Sequence, residues 1–98
     1  MKAVFISFNQ SFFENVISIL DKQSIRGYTS WNGIVRGRGS KAGEPHYGSH
    51  AWPAMNSAIL TIIEENKVDK LLEALRALDK SIEAQGLRAF VWNIENAI

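Results

Sequence analysis

The 98 residues, 46% of them hydrophobic, are enough for one packed domain and leave too few side chains for a second core, so a single domain over 1–98 is expected. Eleven basic residues against ten acidic ones, a formal net charge of +1, provide no chain-wide field for gripping nucleic acid or an anionic membrane. The absence of cysteine excludes disulfides, thiolate metal sites and cysteine nucleophiles. No segment approaches the roughly 20 apolar residues of a membrane-spanning helix, and the opening MKAVFISFNQ is too short and polar for a signal peptide. A cytoplasmic protein without membrane insertion is the expectation.

Taken in order, Lys2 to Phe8 alternate as a strand, with Val4, Ile6 and Phe8 on one face and Ala3, Phe5 and Ser7 on the other. A strand apolar on both faces belongs inside a sheet. Phe13, Val16, Ile17 and Leu20 then fall at helical spacing, predicting a helix from Ser11 to Lys22 with Ser11 and Glu14 as a capping box. Gly27 turns the chain into a second strand, Tyr28 to Arg36, where Thr29, Trp31 and Val35 share a face and Gly33 marks a bulge or a close backbone approach. Ser57 to Ile63 returns to strand character and reads as apolar on both faces. Val68, Leu71, Leu72, Leu75, Leu78 and Ile82 make the stripe of a second helix, with Asn66 as N-cap and Gly86 as a left-handed stop. Leu87 to Ile94 supplies the last strand.

The order strand, helix, strand, loop, strand, helix, strand is that of a ferredoxin-like α+β domain, βαββαβ, with a four-stranded antiparallel sheet and both helices on one face. Phe5, Trp31 and Trp92 then remain for the second face, which predicts that copies of the chain cover it. Between the second and third strands lies the one stretch that neither period explains, Arg36 to Asn56, RGRGSKAGEPHYGSHAWPAMN.

Several local strings, in order and at matching separation, resemble the PII-type nitrogen-regulatory signalling family. They are Ile25-Arg26-Gly27-Tyr28-Thr29 before the second strand, Gly37-Arg38 at the base of the long loop, and Phe90-Val91 followed by Ile94-Glu95-Asn96-Ala97-Ile98. The resemblance covers nearly the whole chain. It implies a non-enzymatic homotrimer with sheets facing inward, a nucleotide or other small effector in clefts between subunits, and a partner protein contacted through the loop. Three departures bear on this. The loop reads PHYGSHAW without the uridylylation string of enteric members, so modification of Tyr47 is not expected. The family's phosphate-binding segment is reduced to Gln85-Gly86-Leu87-Arg88, with Arg88 in place of the lysine charge. The sequence ends at Ile98, without the family's arginine-bearing tail. The last two weigh against ATP and, with it, 2-oxoglutarate sensing.

The expected effector site comprises Arg36, Gly37, Arg38, Gly39, Gly86 and Arg88, where glycine-rich backbone and fixed guanidinium groups hold a phosphate or carboxylate. The plainer alternative is a glycine-rich turn with exposed arginines. His46 and His50, with Glu44, form the alternative of a divalent transition-metal site in a metal-responsive trimer. Pro45 and Gly48 oppose the helix that would bring the two histidines together, so loop hydrogen bonding or partner contact is the competing reading. Tyr47 and Trp52 are the partner-contact candidates, although Trp52-Pro53 is better suited to anchoring the loop's return against the body; a protein-interaction module with no small ligand is a further alternative. No basic stripe accompanies Tyr28, Trp31 and Trp92, so nucleic acid is not an expected partner. No nucleophile pairs with the His/Glu/Tyr set, so no catalytic residue is named.

Overall fold

Alternation of Val4, Ile6 and Phe8 with Ala3, Phe5 and Ser7 produces β1 (Lys2–Asn9), whose first set is fully buried. The computed structural model describes residues 1–38, 40, 45–49, 54–81 and 86–98. Within them β2 (Thr29–Val35), β3 (Asn56–Ile63) and β4 (Arg88–Asn93) join β1 in one sheet of order β2-β3-β1-β4, all neighbours antiparallel. With α1 (Phe13–Lys22) after β1 and α2 (Val68–Ser81) after β3, this is the expected ferredoxin-like domain.

The register assigns the two faces. Val4 lies opposite Thr61 and Val91, and Ile6 opposite Ile59 and Ala89. That face carries the helices. Val4, Ile6, Phe8, Ile59 and Ile63 pack with Val16 and Leu20 of α1, Leu71 and Leu75 of α2, and Phe12, Ile25 and Leu87 from the connections. The two polar side chains of β3 on this side hold the edge strand and the segment that leads into it. Thr61 Oγ1 donates to Gly27 O at 2.6 Å, and Ser57 Oγ accepts from Gly33 N and donates to Asn32 Oδ1, both at 2.9 Å. The second pair knits the bulge expected at Gly33, which has φ +70 and lies where the β2–β3 register shifts between Trp31 and Val35.

Three end signals differ from the sequence reading. Asn9, not the Ser11/Glu14 box, caps the first turn, its Oδ1 accepting from Ser11 N at 2.9 Å, because a short 3₁₀ turn, Gln10–Phe12, precedes α1 and moves the free amides upstream. Asn66 likewise lies inside a 3₁₀ turn, Glu65–Lys67, and is not the residue that opens helix two. The turn after α1 is made by Ser24 at φ 58 and not by Gly27. Ile25 N bonds Leu20 O at 2.9 Å and Ser24 N bonds Asp21 O at 3.1 Å, a Schellman closure whose apolar contact is supplied by buried Ile25 and Leu20. Gly86 does have the left-handed conformation expected of it, φ +71. Ile82, assigned to the helical stripe, lies outside the described residues.

Among the described residues none covers the second sheet face. Its rows run Trp92–Ala3–Ile62, Phe90–Phe5–Leu60–Thr29 and Arg88–Ser7–Ala58–Trp31. Ala3 and Ala58 are closed off by their neighbours, but Trp31, Ile62, Phe90 and Trp92 stand 38%, 40%, 58% and 49% exposed. The third strand is therefore not buried on both faces within one chain, since both helices pack on the same side. Among the described residues no helix is long and apolar enough to cross a membrane.

Candidate effector site at the loop end of the sheet

β1 and β2 end, and β3 and β4 begin, at the same end of the sheet. The long connection from β2 to β3 therefore leaves and returns there. Its foot is a fragment of antiparallel ladder. Gly37 N donates to His46 O at 2.9 Å and His46 N to Gly37 O at 2.6 Å, an isolated bridge inside the stretch that neither the helical nor the strand period explains. The return is fixed by Gln10 N donating to Met55 O at 3.0 Å and Gly48 N donating to Ala54 O at 3.2 Å. Gly48 has φ +68, and a Cβ there would meet Met55 Sδ at 2.3 Å, so only glycine fits this crossing.

Asn56, the first residue of β3, joins the two sides of the foot. Its Oδ1 lies 2.6 Å from His46 Nδ1, and its Nδ2 lies 2.7 Å from where a Cβ on Gly37 would sit. A carboxamide oxygen only accepts, so His46 Nδ1 carries the proton in this contact. The sequence reading passed over Asn56. The signal available was a polar residue opening an otherwise apolar run, NSAILTII.

The expected effector residues divide into two groups. Arg36, Gly37 and Arg38 follow β2 at one edge of the sheet, with both arginines exposed. Gly86 and Arg88 lie at the other edge, where Arg88 donates to Leu87 O at 2.8 Å and pairs with Asp79 at 3.9 Å. Both groups are at the loop end, but two strands separate β2 from β4, so the edges are roughly 14 Å apart at ~4.8 Å per strand interval. One chain does not bring them together. Gly39 lies outside the described residues.

For the metal alternative, His46 is half-buried with Nδ1 engaged by Asn56, and Glu44 and His50 lie outside the described residues. Among the described residues no three His, Asp or Glu side chains are grouped to hold a metal ion. Tyr47 is half-buried beside the bridge, while Trp52 and Pro53 lie outside the described residues. At the opposite end of the sheet an open groove of about 730 Å³ is lined by Lys2, Glu64, Glu65, Asn66, Val68 and Asp69. Lys2 spans it, bonded to Asn93 and paired with Glu65 at 3.5 Å.

The site thus consists of a ferredoxin-like sheet with an exposed apolar face, a long β2–β3 loop and arginines at two edges of one end, the architecture of a small regulatory domain. The chain belongs to the nitrogen regulatory protein P-II family, whose profile matches residues 1–98. Proteins of that family are signalling proteins without catalytic activity, and the chain is a regulator of this kind, not an enzyme. Among solved structures it is similar to CPII, a PII-like protein of Thiomonas intermedia K12. The structure of CPII bound to ADP and bicarbonate is 25% identical, with TM-score 0.76, covering 95% of this chain and 84% of the other. CPII bound to ADP, AMP and bicarbonate is 24% identical, with TM-score 0.73 and coverage of 95% and 88%. Its apo form is 22% identical, with TM-score 0.72 and coverage of 95% and 87%. The latter two likenesses establish the fold. No curated protein matches the chain.

Proposed function

We propose that the chain is a homotrimeric signal-transduction regulator that binds a small anionic effector, of the adenine nucleotide class, in clefts between subunits, and reports its presence through the 36–56 loop to a partner protein. The observation that carries this reading is the separation of the basic groups. Arg36 and Arg38 lie at one edge of the loop end of the sheet and Arg88 at the other, so an anion held by both needs two chains. The exposed apolar face between those edges supports such an assembly. The nucleotide class is supported by CPII, which is bound to ADP and bicarbonate in one of the similar structures. Gly37, Gly39 and Gly86 would admit close backbone approach to phosphate oxygens, and Tyr47 and Trp52 would meet the partner. An effector that favours one loop conformation shifts its population by no more than its differential affinity.

The test is calorimetric titration of the chain with ADP, AMP, ATP and bicarbonate. The wild type is expected to bind an adenine nucleotide, and Arg38→Ala to weaken it by roughly 10-fold or more, the loss of one charge-assisted contact. No binding across the panel overturns the reading.

A further inference from the structure

We propose that Asn56 and His46 are positioning residues for the effector site: together they clamp the backbone of Gly37 and thereby aim Arg36 and Arg38. The inference rests on the effector reading above and adds to it the residues that hold the arginines in place.

The clamp is built outward from the sheet. Asn56 is fixed by the β3 register, opposite Asn9 on one side and Val35 on the other. From that position its Oδ1 accepts a hydrogen bond from His46 Nδ1 at 2.6 Å, while its Nδ2 occupies the space beside the Gly37 Cα, 2.7 Å from an added Cβ. His46 closes the ring by exchanging both backbone hydrogen bonds with Gly37, at 2.9 and 2.6 Å. Gly37 is thus held by backbone on one side and by the Asn56 carboxamide on the other. Neighbouring residues of extended backbone project to opposite sides. Holding Gly37 against Asn56 therefore directs Arg36 and Arg38 together to the side opposite the Asn56 carboxamide, and both are exposed.

The chemistry restricts which side chains can do this. The residue at 56 must present an acceptor to the imidazole and a small planar group to the glycine, which a carboxamide does and an aliphatic chain does not. A Cβ at position 37 would displace the Asn56 carboxamide from its place beside the backbone. Releasing the clamp frees the backbone of about one residue before each arginine engages a ligand, an ordering cost that corresponds to about tenfold in affinity.

The experiment titrates ADP into wild type, Asn56→Ala, His46→Leu and His46→Asn, with amide hydrogen exchange at Gly37 and His46 measured on the same proteins. Asn56→Ala and His46→Leu are expected to weaken ADP about tenfold and to lose protection at both amides. His46→Asn, whose carboxamide nitrogen takes the place of Nδ1, is expected to restore both. Position 46 lies in the loop, so its variants leave the core intact. Wild-type affinity in Asn56→Ala and His46→Leu overturns the clamp while leaving the effector reading standing. Equal loss in His46→Asn and His46→Leu also overturns it, since the hydrogen bond would then not be the cause. Absence of ADP binding to the wild type overturns both proposals.

Discussion

Phe90→Asp is the sharpest test of the proposed assembly. Phe90 stands 58% exposed on the open sheet face, in a row with Phe5 and Leu60. An aromatic side chain offers on the order of 200 Å² for burial, so about 100 Å² of Phe90 is left for a neighbouring subunit to cover. At ~25 cal/mol per Å² its removal costs about 2.5 kcal/mol per subunit, close to two decades in the association constant. The aspartate adds a desolvation penalty of several kcal/mol, because a carboxylate inside a covered apolar face gives up its hydration. Association should fail at micromolar concentrations. Within the single chain the same side chain faces outward, so the fold itself should lose little. Light scattering at two protein concentrations, alongside circular dichroism, reads these effects separately. The wild type is expected at three times the chain mass and the variant at one, with unchanged secondary structure. A variant that keeps the wild-type mass, or a wild type that is monomeric at 100-fold above micromolar, refutes the argument from the open face.

Two predictions concern the scaffold toward the opposite end of the sheet. Ser24→Gly should stabilise the fold by about 0.5–1 kcal/mol in urea unfolding, because Ser24 holds φ 58 at the end of α1 with a side chain that disfavours it; destabilisation would show that the serine hydroxyl has a role the backbone geometry does not require. Thr61→Val should cost about 1–2 kcal/mol by the same measurement, since it keeps the shape but removes the 2.6 Å bond to Gly27 O from a site that is 1% exposed. A neutral result there would mean that Gly27 O finds water instead.

Periodicity by itself determined the element order, because each element buries one face and so repeats its apolar residues at the period of its own backbone. The strand alternation in Lys2–Asn9, the stripe through Leu71 and Leu75 and the bulge glycine at position 33 were all legible locally. Helix ends were not, since Asn9 and Ser24 act through backbone angles that Ser11, Glu14 and Gly27 could have adopted equally well. The candidate site was legible only as residue types. GRG and Arg88 announced anion chemistry, but the strand order β2-β3-β1-β4 places them at opposite edges, a separation set by hydrogen bonds between segments distant in sequence. The histidine at 46 suggested a metal from its chemistry alone. Only the tertiary structure sets it against Asn56 and Gly37, because that meeting depends on the loop closing back onto the first residue of β3.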